Sequence, residues 1–376
     1  MLKSASLQGA RIVVIGAGAV GAAVSYRLAQ AGAQVTTVER YYPGGGTTSV
    51  SFAWLNGFDK VPKAYHRLNV QSIRDHQDLA DELDGHWLRV EGGLHWEHAA
   101  EADRVKALHA AVRRLRDWGQ RVEQTTPQVA MRELAPDLRI DPDEVSEVFL
   151  VPREGTVEPI MFAHGVMHQA LLRYSAKLEH ATVAALGGSH GAVDQVVLAD
   201  GRTLGADVVV NCAGPDADRI AALAGANIPL APILGLTLST APAPACLRQV
   251  VLAPEALVHS DGAGHLILRT REVDGELVPG ETPHADSPVT RQVMSRARRI
   301  VPGLEDIPVD RVRVGARSMP RDGISIVGFD PAVVGLYTVV THSGITLSAR
   351  LAVLVTEDLA TGDCADLAPY RPSRFS

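Results

Sequence analysis

The chain has 376 residues, of which 46% are hydrophobic, and it carries a formal net charge of −7. Its length predicts two domains, or one large fold with an inserted second one. Its acidic balance argues against a general attraction to nucleic acid or to an anionic membrane. The N-terminus lacks a signal-peptide pattern and no apolar run could span a bilayer, so we expect a cytoplasmic protein.

The three cysteines argue against a fold held together by disulfides or by a structural metal ion. Cys212, Cys246 and Cys364 are odd in number, far apart and without paired spacing. Neither a set of disulfides nor a structural metal site is therefore expected.

The chain begins with a strand, a helix and a second strand. Arg11–Ile15 is a short apolar run, residues 20–31 have a helical pattern that stops at Gly32, and Gln34–Glu39 is rich in β-branched residues. Two parallel strands need a helix as their crossover, so this segment predicts a βαβ unit.

Helical and strand-like patterns then alternate along the chain, which predicts an α/β fold with a separate α+β region. Further helices are predicted over residues 65–83, 99–118, 161–178, 289–300 and 345–359. Further strands are predicted over residues 181–186, 207–212, 234–239, 265–270 and 335–340, with a hairpin turn at Asp200 and Gly201.

The turn of the βαβ unit carries a G-x-G-x-x-G sequence. Gly16 allows the tight turn, Gly18 lets the backbone approach a pyrophosphate, and Gly21 lets the helix pack on the strand. Phosphates would then lie at the helix N-terminus, beside the amides of Ala19 and Val20. This turn predicts a dinucleotide site.

The second strand ends in an acidic residue at the place where such sites bind ribose. Glu39 would accept hydrogen bonds from the adenosine ribose and would repel a 2′-phosphate, which disfavours NADP; the adjacent Arg40 is expected in the same site. These residues leave both NAD and FAD open.

Four motifs in this order resemble the D-amino-acid oxidase superfamily of FAD-dependent oxidoreductases, which includes glycine oxidase and sarcosine oxidase. They are the βαβ unit with Glu39, residues 46–54 (GTTSVSFAW), residues 207–214 (DVVVNCAG), and residues 317–328 (RSMPRDGISIVG) followed by 341–344 (THSG). The resemblance implies a Rossmann-like FAD-binding domain, discontinuous in sequence, and a mixed-sheet substrate domain.

The resemblance also implies which residues would hold FAD. The pyrophosphate and flavin would contact Thr47, Thr48 and Ser49, while Ala53 and Trp54 would lie beside the ring. Two further residues would lie near the nucleotide, Val183 and Gly214. The last helix would direct its free N-terminal amides at the flavin, where they favour the reduced, negatively charged form; these are Ser343, Gly344, Ile345 and Thr346.

On the substrate side, Arg317 is similar in position to the arginine that grips the substrate carboxylate in glycine oxidase. A guanidinium suits that role because it binds a carboxylate bidentately and keeps its charge when partly buried. A structural ion pair is the alternative. His342, beside the flavin turn, could influence amine protonation or oxygen reactivity, or could serve only as a structural hydrogen-bonding group.

The implied reaction is oxidation of a C–N bond in an amino acid or N-substituted amino acid to an imine, with O2 as acceptor. In members of the resembled superfamily that bind flavin covalently, the ring is attached to a cysteine or histidine at places similar to residues 314–322 or to a histidine at places similar to residues 44–52. Residues 314–322 lack cysteine and histidine and residues 44–52 lack histidine, so the resemblance implies that FAD binds non-covalently. The alternatives are a flavin dehydrogenase with a quinone or protein acceptor, an NAD-dependent dehydrogenase, and a non-catalytic flavin-binding subunit of an amine-oxidising complex. Self-association into a homo-oligomer stays open.

The motifs predict a division of the chain into two interleaved domains. Residues 1–59, 151–225 and 324–376 would form the FAD-binding domain. Residues 60–150 and 226–323 would form the substrate-binding domain.

Overall fold

The computed structural model describes residues 7–188 and 191–375, so residues 1–6, 189–190 and 376 of the predicted domains lie outside it. The chain forms four sheets with helices packed on them. The helices are α1 Ala19–Gln30, α2 Lys63–Leu83, α3 Ala102–Asp117, α4 Pro127–Val129, α5 Pro159–Tyr174, α6 Ala217–Ala222, α7 Pro288–Ile300 and α8 Gly344–Thr361. In the described part of the chain, none of these helices combines the length and apolarity that a bilayer crossing requires.

The strands are numbered in chain order. They are β1 Arg11–Ile15, β2 Gln34–Glu39, β3 Trp54–Leu55, β4 Leu88–Arg89, β5 Gly93–His95, β6 Glu123–Thr125, β7 Val148–Val151, β8 Gly155–Val157, β9 Lys177–His180, β10 Val183–Gly187, β11 Gln195–Leu198, β12 Thr203–Gly205, β13 Val208–Asn211, β14 Ile233–Thr240, β15 Val250–Leu252, β16 Leu257–Ser260, β17 Leu266–Arg269, β18 Val309–Arg317, β19 Ile326–Phe329 and β20 Leu336–Val340.

A six-stranded sheet with the order β19-β20-β13-β1-β2-β9 contains the βαβ unit and forms one half of the fold. All its pairings are parallel except that of β19 with β20. β1, β13 and β20 are buried almost throughout, as strands covered on both faces must be. On one face α1 packs between α5 and α8, and α2 packs on α8; α6 covers the other face.

An eight-stranded sheet with the order β18-β14-β17-β16-β15-β5-β7-β6 forms the other half. It is antiparallel except for the parallel pair β5 and β15, so it is a mixed sheet as the resemblance implied. Its long strands β14 and β18 pair from Ile233 opposite Arg317 to Thr240 opposite Val309. Arg317 is thereby placed at the end of the sheet edge. Two three-stranded sheets, β3-β8-β4 and β10-β11-β12, complete the fold.

The predicted helix over residues 161–178 is wrong at its C-terminal end. The helix ends at Tyr174 because Ser175 adopts a left-handed conformation with φ of 54°, and Lys177–His180 is instead the edge strand β9, parallel to β2. Its sequence KLEH has no clear apolar alternation, since an edge strand buries little of either face. The other predicted elements differ from the structure only at their ends.

Candidate active site

A cavity of about 850 Å³ lies where the two large sheets meet, near the upper limit of roughly 1,000 Å³ for ligand pockets. It opens at the carboxyl ends of parallel strands β1, β2, β13 and β20. The strand order reverses between β1 and β13, and ligands of open α/β sheets bind at such a switch point. The topology therefore puts a ligand site beside the glycine turn.

The glycine turn lines one end of the cavity, which we call the nucleotide end. A Cβ on Gly16, whose φ is +98°, would lie 2.6 Å from the Cys212 carbonyl oxygen. A Cβ on Gly21 would lie 1.9 Å from the Gly16 carbonyl oxygen, so Gly21 serves close helix packing and does not line the cavity. Gly18 and the first helical residues Ala19 and Val20 do line it.

Glu39 is held at the nucleotide end by two main-chain amides. Its carboxylate accepts hydrogen bonds from Ala17 N at 2.8 Å and Tyr41 N at 2.9 Å. The neighbouring Arg40 forms an ion pair with Asp216 at 2.6 Å. Glu39 and Arg40 both line the cavity, which is compatible with their predicted place beside the adenosine ribose.

The three residues Thr47, Thr48 and Ser49 do not all face the cavity. Thr48 Oγ1 accepts a hydrogen bond from Ala19 N at 3.0 Å, and Thr47 Oγ1 donates to the Ala316 carbonyl at 2.7 Å. These two line the cavity, whereas Ser49 lines only a smaller adjoining recess and donates to Gly46 O. The 3₁₀ turn Thr47–Val50 points Ser49 away from the main space.

Ala53 and Trp54 lie on the cavity wall in an unusual backbone geometry. Ala53 has a φ of 54°, which is uncommon for a residue with a side chain and is often found at functional positions. The indole of Trp54 donates to Glu154 at 3.0 Å, and His95 contacts the same carboxylate oxygen at 2.8 Å. This buried pair fixes the orientation of the indole.

Val183 and Gly214 also line the cavity at the nucleotide end. Val183 begins β10, and Gly214, with a φ of +61°, follows β13. Both positions agree with their predicted place beside the nucleotide, whose contacts remain a prediction.

The N-terminus of α8 lines a second part of the cavity, which we call the amine end. Ser343, Gly344, Ile345 and Thr346 all contribute to the wall. No side chain caps this helix, and its first turn contains no acidic residue, so its amides and positive dipole face the cavity. A Cβ on Gly344 would meet only Val20 Cγ2, at 3.8 Å, so the absent side chain leaves room for a ligand.

Arg317 lines the amine end and is also ion-paired. Its guanidinium donates to Asp274 Oδ2 at 2.5 Å and to the Leu234 carbonyl at 2.8 Å. Arg269 donates to the same Asp274 oxygen at 2.6 Å. The ion pair weighed as an alternative is therefore present, and the arginine still faces the cavity.

His342 lines the amine end as a neutral imidazole. Burial, followed by the charges of Lys60, Arg317 and Arg269, lowers its pKa to about 4. The side chain therefore stays unprotonated at neutral pH and offers a hydrogen-bond acceptor to an amine.

Sequence reasoning missed four residues at the amine end. They are Lys60, Arg269, Arg271 and Asp274, none of which belongs to a motif. Lys60 donates to Ser343 Oγ at 3.2 Å across 283 residues of chain. Only a structure shows such a contact, because the residues around Lys60 form no pattern.

The chain matches the model of the FAD dependent oxidoreductase family over residues 11–358. It belongs to this family. FAD is therefore its cofactor, and the NAD-dependent alternative is wrong. The site fits FAD: the N-termini of α1 and α8 both face one cavity, that of α8 has no side-chain cap, and the open space at Gly344 leaves room for a flavin.

The relatives of this flavoenzyme support the same assignment. It is 28% identical to the uncharacterized oxidoreductase YurR of Bacillus subtilis (strain 168), over 96% of this chain and 98% of that protein. It is 26% identical to an opine oxidase subunit of Agrobacterium tumefaciens (strain Ach5), over 97% of each. The crystal structure of glycine oxidase from Geobacillus kaustophilus superposes with a TM-score of 0.83 at 24% identity, over 96% of this chain and 98% of that one. The chain is thus an FAD-dependent oxidoreductase of the amino acid oxidase type.

Cys212 is the cysteine that lines the cavity, and it is buried. Burial raises the pKa of its thiol far above the ordinary value, so no thiolate forms near neutral pH. Non-covalent binding of FAD stays a prediction.

One group of side chains outside this cavity has the spacing of a metal site. His98, Glu144 and Glu255 offer ligand atoms within 4.8 Å of one another. His98 already makes a 2.8 Å hydrogen bond with Glu255. The prediction that the protein holds no metal stays untested.

Proposed function

We propose that this flavoenzyme oxidises the C–N bond of an amino acid or N-substituted amino acid to an imine, which water then hydrolyses. The observation that carries the proposal is the position of Arg317, which lines the same cavity as the glycine turn and the α8 N-terminus. A carboxylate held by this guanidinium would keep the α-carbon of the substrate inside that cavity.

Each residue at the amine end has a distinct part in this proposal. Arg317 binds the carboxylate, and Asp274 holds Arg317 in place through their ion pair. His342, neutral at working pH, accepts a hydrogen bond from the substrate amine and orients it, while the positive charges around His342 favour the unprotonated amine. When bound, FAD supplies the acceptor for the hydride that leaves the α-carbon.

O2 is the electron acceptor that we propose, and the cytoplasm is the proposed location. A second candidate is a flavin-binding subunit that works with another protein, with a quinone or a protein as acceptor. The match with the opine oxidase subunit over 97% of both chains favours that candidate. Oxygen consumption by the purified single chain separates the two, as does its oligomeric state.

The test is anaerobic reduction of the FAD-loaded protein by a panel of amines with and without a carboxylate. We expect carboxylate-bearing amines to bleach the flavin, and Arg317→Ala to slow this by roughly 10-fold to 100-fold, since a hydrogen bond to a charged group is lost. Arg321→Ala is the matched control, because Arg321 is exposed and lies outside the cavity lining. Equal reduction of Arg317→Ala and the wild type would refute the role of Arg317.

A further inference from the structure

The amine end of the cavity has more positive than negative side chains. Four cations line it, namely Lys60, Arg269, Arg271 and Arg317. Asp274 is the carboxylate that lines this end, while the other two lining carboxylates, Glu39 and Asp216, belong to the nucleotide end. One carboxylate therefore faces four cations.

Asp274 is already shared between two of these cations. Its Oδ2 atom accepts hydrogen bonds from both Arg269 and Arg317, at 2.6 and 2.5 Å. The Nε atoms of both arginines are buried, and neither has a hydrogen-bond partner among the residues that the structure describes. Buried donors are normally satisfied, so these two point to an acceptor that the protein itself does not supply.

The remaining two cations have no acidic partner in the described parts of the chain. Neither Lys60 nor Arg271 lies within 4.0 Å of a carboxylate oxygen there. Both line the same cavity, and burial followed by the Arg271 charge lowers the pKa of Lys60. Lys60 is half-buried, and burying a charge without a counter-charge is costly, which makes a second anion at this end favourable.

From this imbalance we propose that the substrate is an amine that carries two carboxylates, with the first bound by Arg317 and the second by Arg271 and Lys60. This inference rests on the proposed amine oxidation and names the class of its substrate. A monocarboxylate would leave at least two cations without a counter-charge at the amine end, whereas a dicarboxylate would leave one.

A binding experiment with redox-inert acids tests this subsite without any catalysis. Malonate and acetate are titrated into the FAD-loaded protein at constant ionic strength, and the visible flavin spectrum reports binding. We expect malonate to bind at least about 10-fold more tightly than acetate, because a second set of charge-assisted hydrogen bonds forms. Equal affinity for the two acids would overturn the inference.

Variants show whether the assigned cations cause the difference. Lys60→Met and Arg271→Gln should each weaken malonate binding by roughly 10-fold or more and acetate binding much less. The matched controls are Lys63→Met and Arg321→Gln, which remove exposed cations outside the cavity lining. An equal loss for both acids, or the same loss in the controls, would show that the second subsite is wrongly placed.

Flavin reduction then locates the second carboxylate on the substrate. N-carboxymethylglycine is compared with N-methylglycine, and both enantiomers of aspartate with those of alanine. A preference for either dicarboxylate supports the inference and tells whether the second acid lies on the nitrogen substituent or on the side chain. If the amines reduce the flavin but neither dicarboxylate is preferred, the inference is contradicted. If malonate binds as expected but no amine reduces the flavin, the proposed reaction fails and the dicarboxylate subsite stands.

Discussion

The two ends of the cavity recognise charge in different ways. At the nucleotide end the charged groups are satisfied within the protein: Glu39 by two main-chain amides, and Asp216 by Arg40 and Arg219. At the amine end the side chains of Lys60 and Arg271 have no acidic partner in the described residues. The nucleotide end is therefore shaped mainly by its backbone. The amine end is shaped by charged side chains, and a negatively charged substrate would balance their excess positive charge.

The largest effect is expected where the backbone shapes the nucleotide end. Gly21→Ala would put a Cβ 1.9 Å from the Gly16 carbonyl oxygen, so α1 must move away from β1. We expect a loss of about 3 kcal/mol or more in the free energy of unfolding and no bound FAD. Denaturant unfolding and the flavin-to-protein absorbance ratio measure both.

Gly275→Ala is the control for this change, since its Cβ would meet nothing within 4 Å and its φ is not positive. If Gly21→Ala bound as much FAD as Gly275→Ala and were equally stable, then close packing of the backbone would not determine the shape of the nucleotide end.

Substitution of Gly344, at the amine end, should weaken FAD binding without lowering the stability of the FAD-free protein. A Cβ at Gly344 would lie in the cavity and meet only Val20 Cγ2, at 3.8 Å. Gly344→Ala should weaken FAD binding by roughly 10-fold to 100-fold while the FAD-free protein keeps or slightly gains stability, because alanine is the better helix former. A drop in the melting temperature of the FAD-free protein would contradict this prediction.

The charge at the amine end should be visible in the pKa of His342. The folded-state pKa of about 4 lies below the ordinary 6.5, so the imidazole stays neutral above pH 6 and gains its proton only as the pH falls toward 4. Binding of malonate should raise this pKa, because it compensates the charges of Lys60, Arg317 and Arg269. NMR titration of labelled histidine, with acetate as the control ligand, measures the change; a pKa that malonate leaves unchanged would speak against charge compensation.

The smallest effect is expected for a paired charge at the nucleotide end. Asp216→Asn breaks the ion pair with Arg40, whose side chain is 46% exposed. Exposed pairs contribute little, so the free energy of unfolding should change by about 0.5 kcal/mol or less, and FAD affinity by less than about 3-fold. Calorimetry and FAD titration check this, and a large loss of FAD would mean that Asp216 contacts the nucleotide directly.

Local sequence signals predicted the nucleotide half of the fold well. The apolar run Arg11–Ile15 predicts a buried strand, because a strand covered on both faces needs apolar side chains. The glycine spacing after it predicts a tight turn, because a Cβ at Gly16 or Gly21 would clash with the backbone. The missed strand Lys177–His180 is polar, and the preceding helix ends without a glycine or proline. Its end depends on the left-handed conformation of Ser175, which the residue type does not predict.

The amine end was predictable only in part, because its contacts join distant segments. Arg317 was found through a motif, but its partner Asp274 lies 43 residues away in a short 3₁₀ turn with no recognisable sequence pattern. Lys60 and Ser343 are likewise joined only by the packing of the two halves of the fold. Charged residues that face each other across a cavity have no fixed spacing in the sequence. The excess of cations over carboxylates at the amine end is therefore visible only in the structure.

The position of α8 has a consequence for how the enzyme is made. One part of the cavity wall comes from the helix that begins at Ala19, and another part comes from the helix that begins at Gly344. β20, which leads into that helix, must also pair with β13 before the sheet is complete. A chain still being translated therefore has the glycine turn long before it has a closed flavin site, and we expect FAD to be captured only after α8 has been synthesised. An N-terminal fragment that lacks α8 should accordingly emerge colourless.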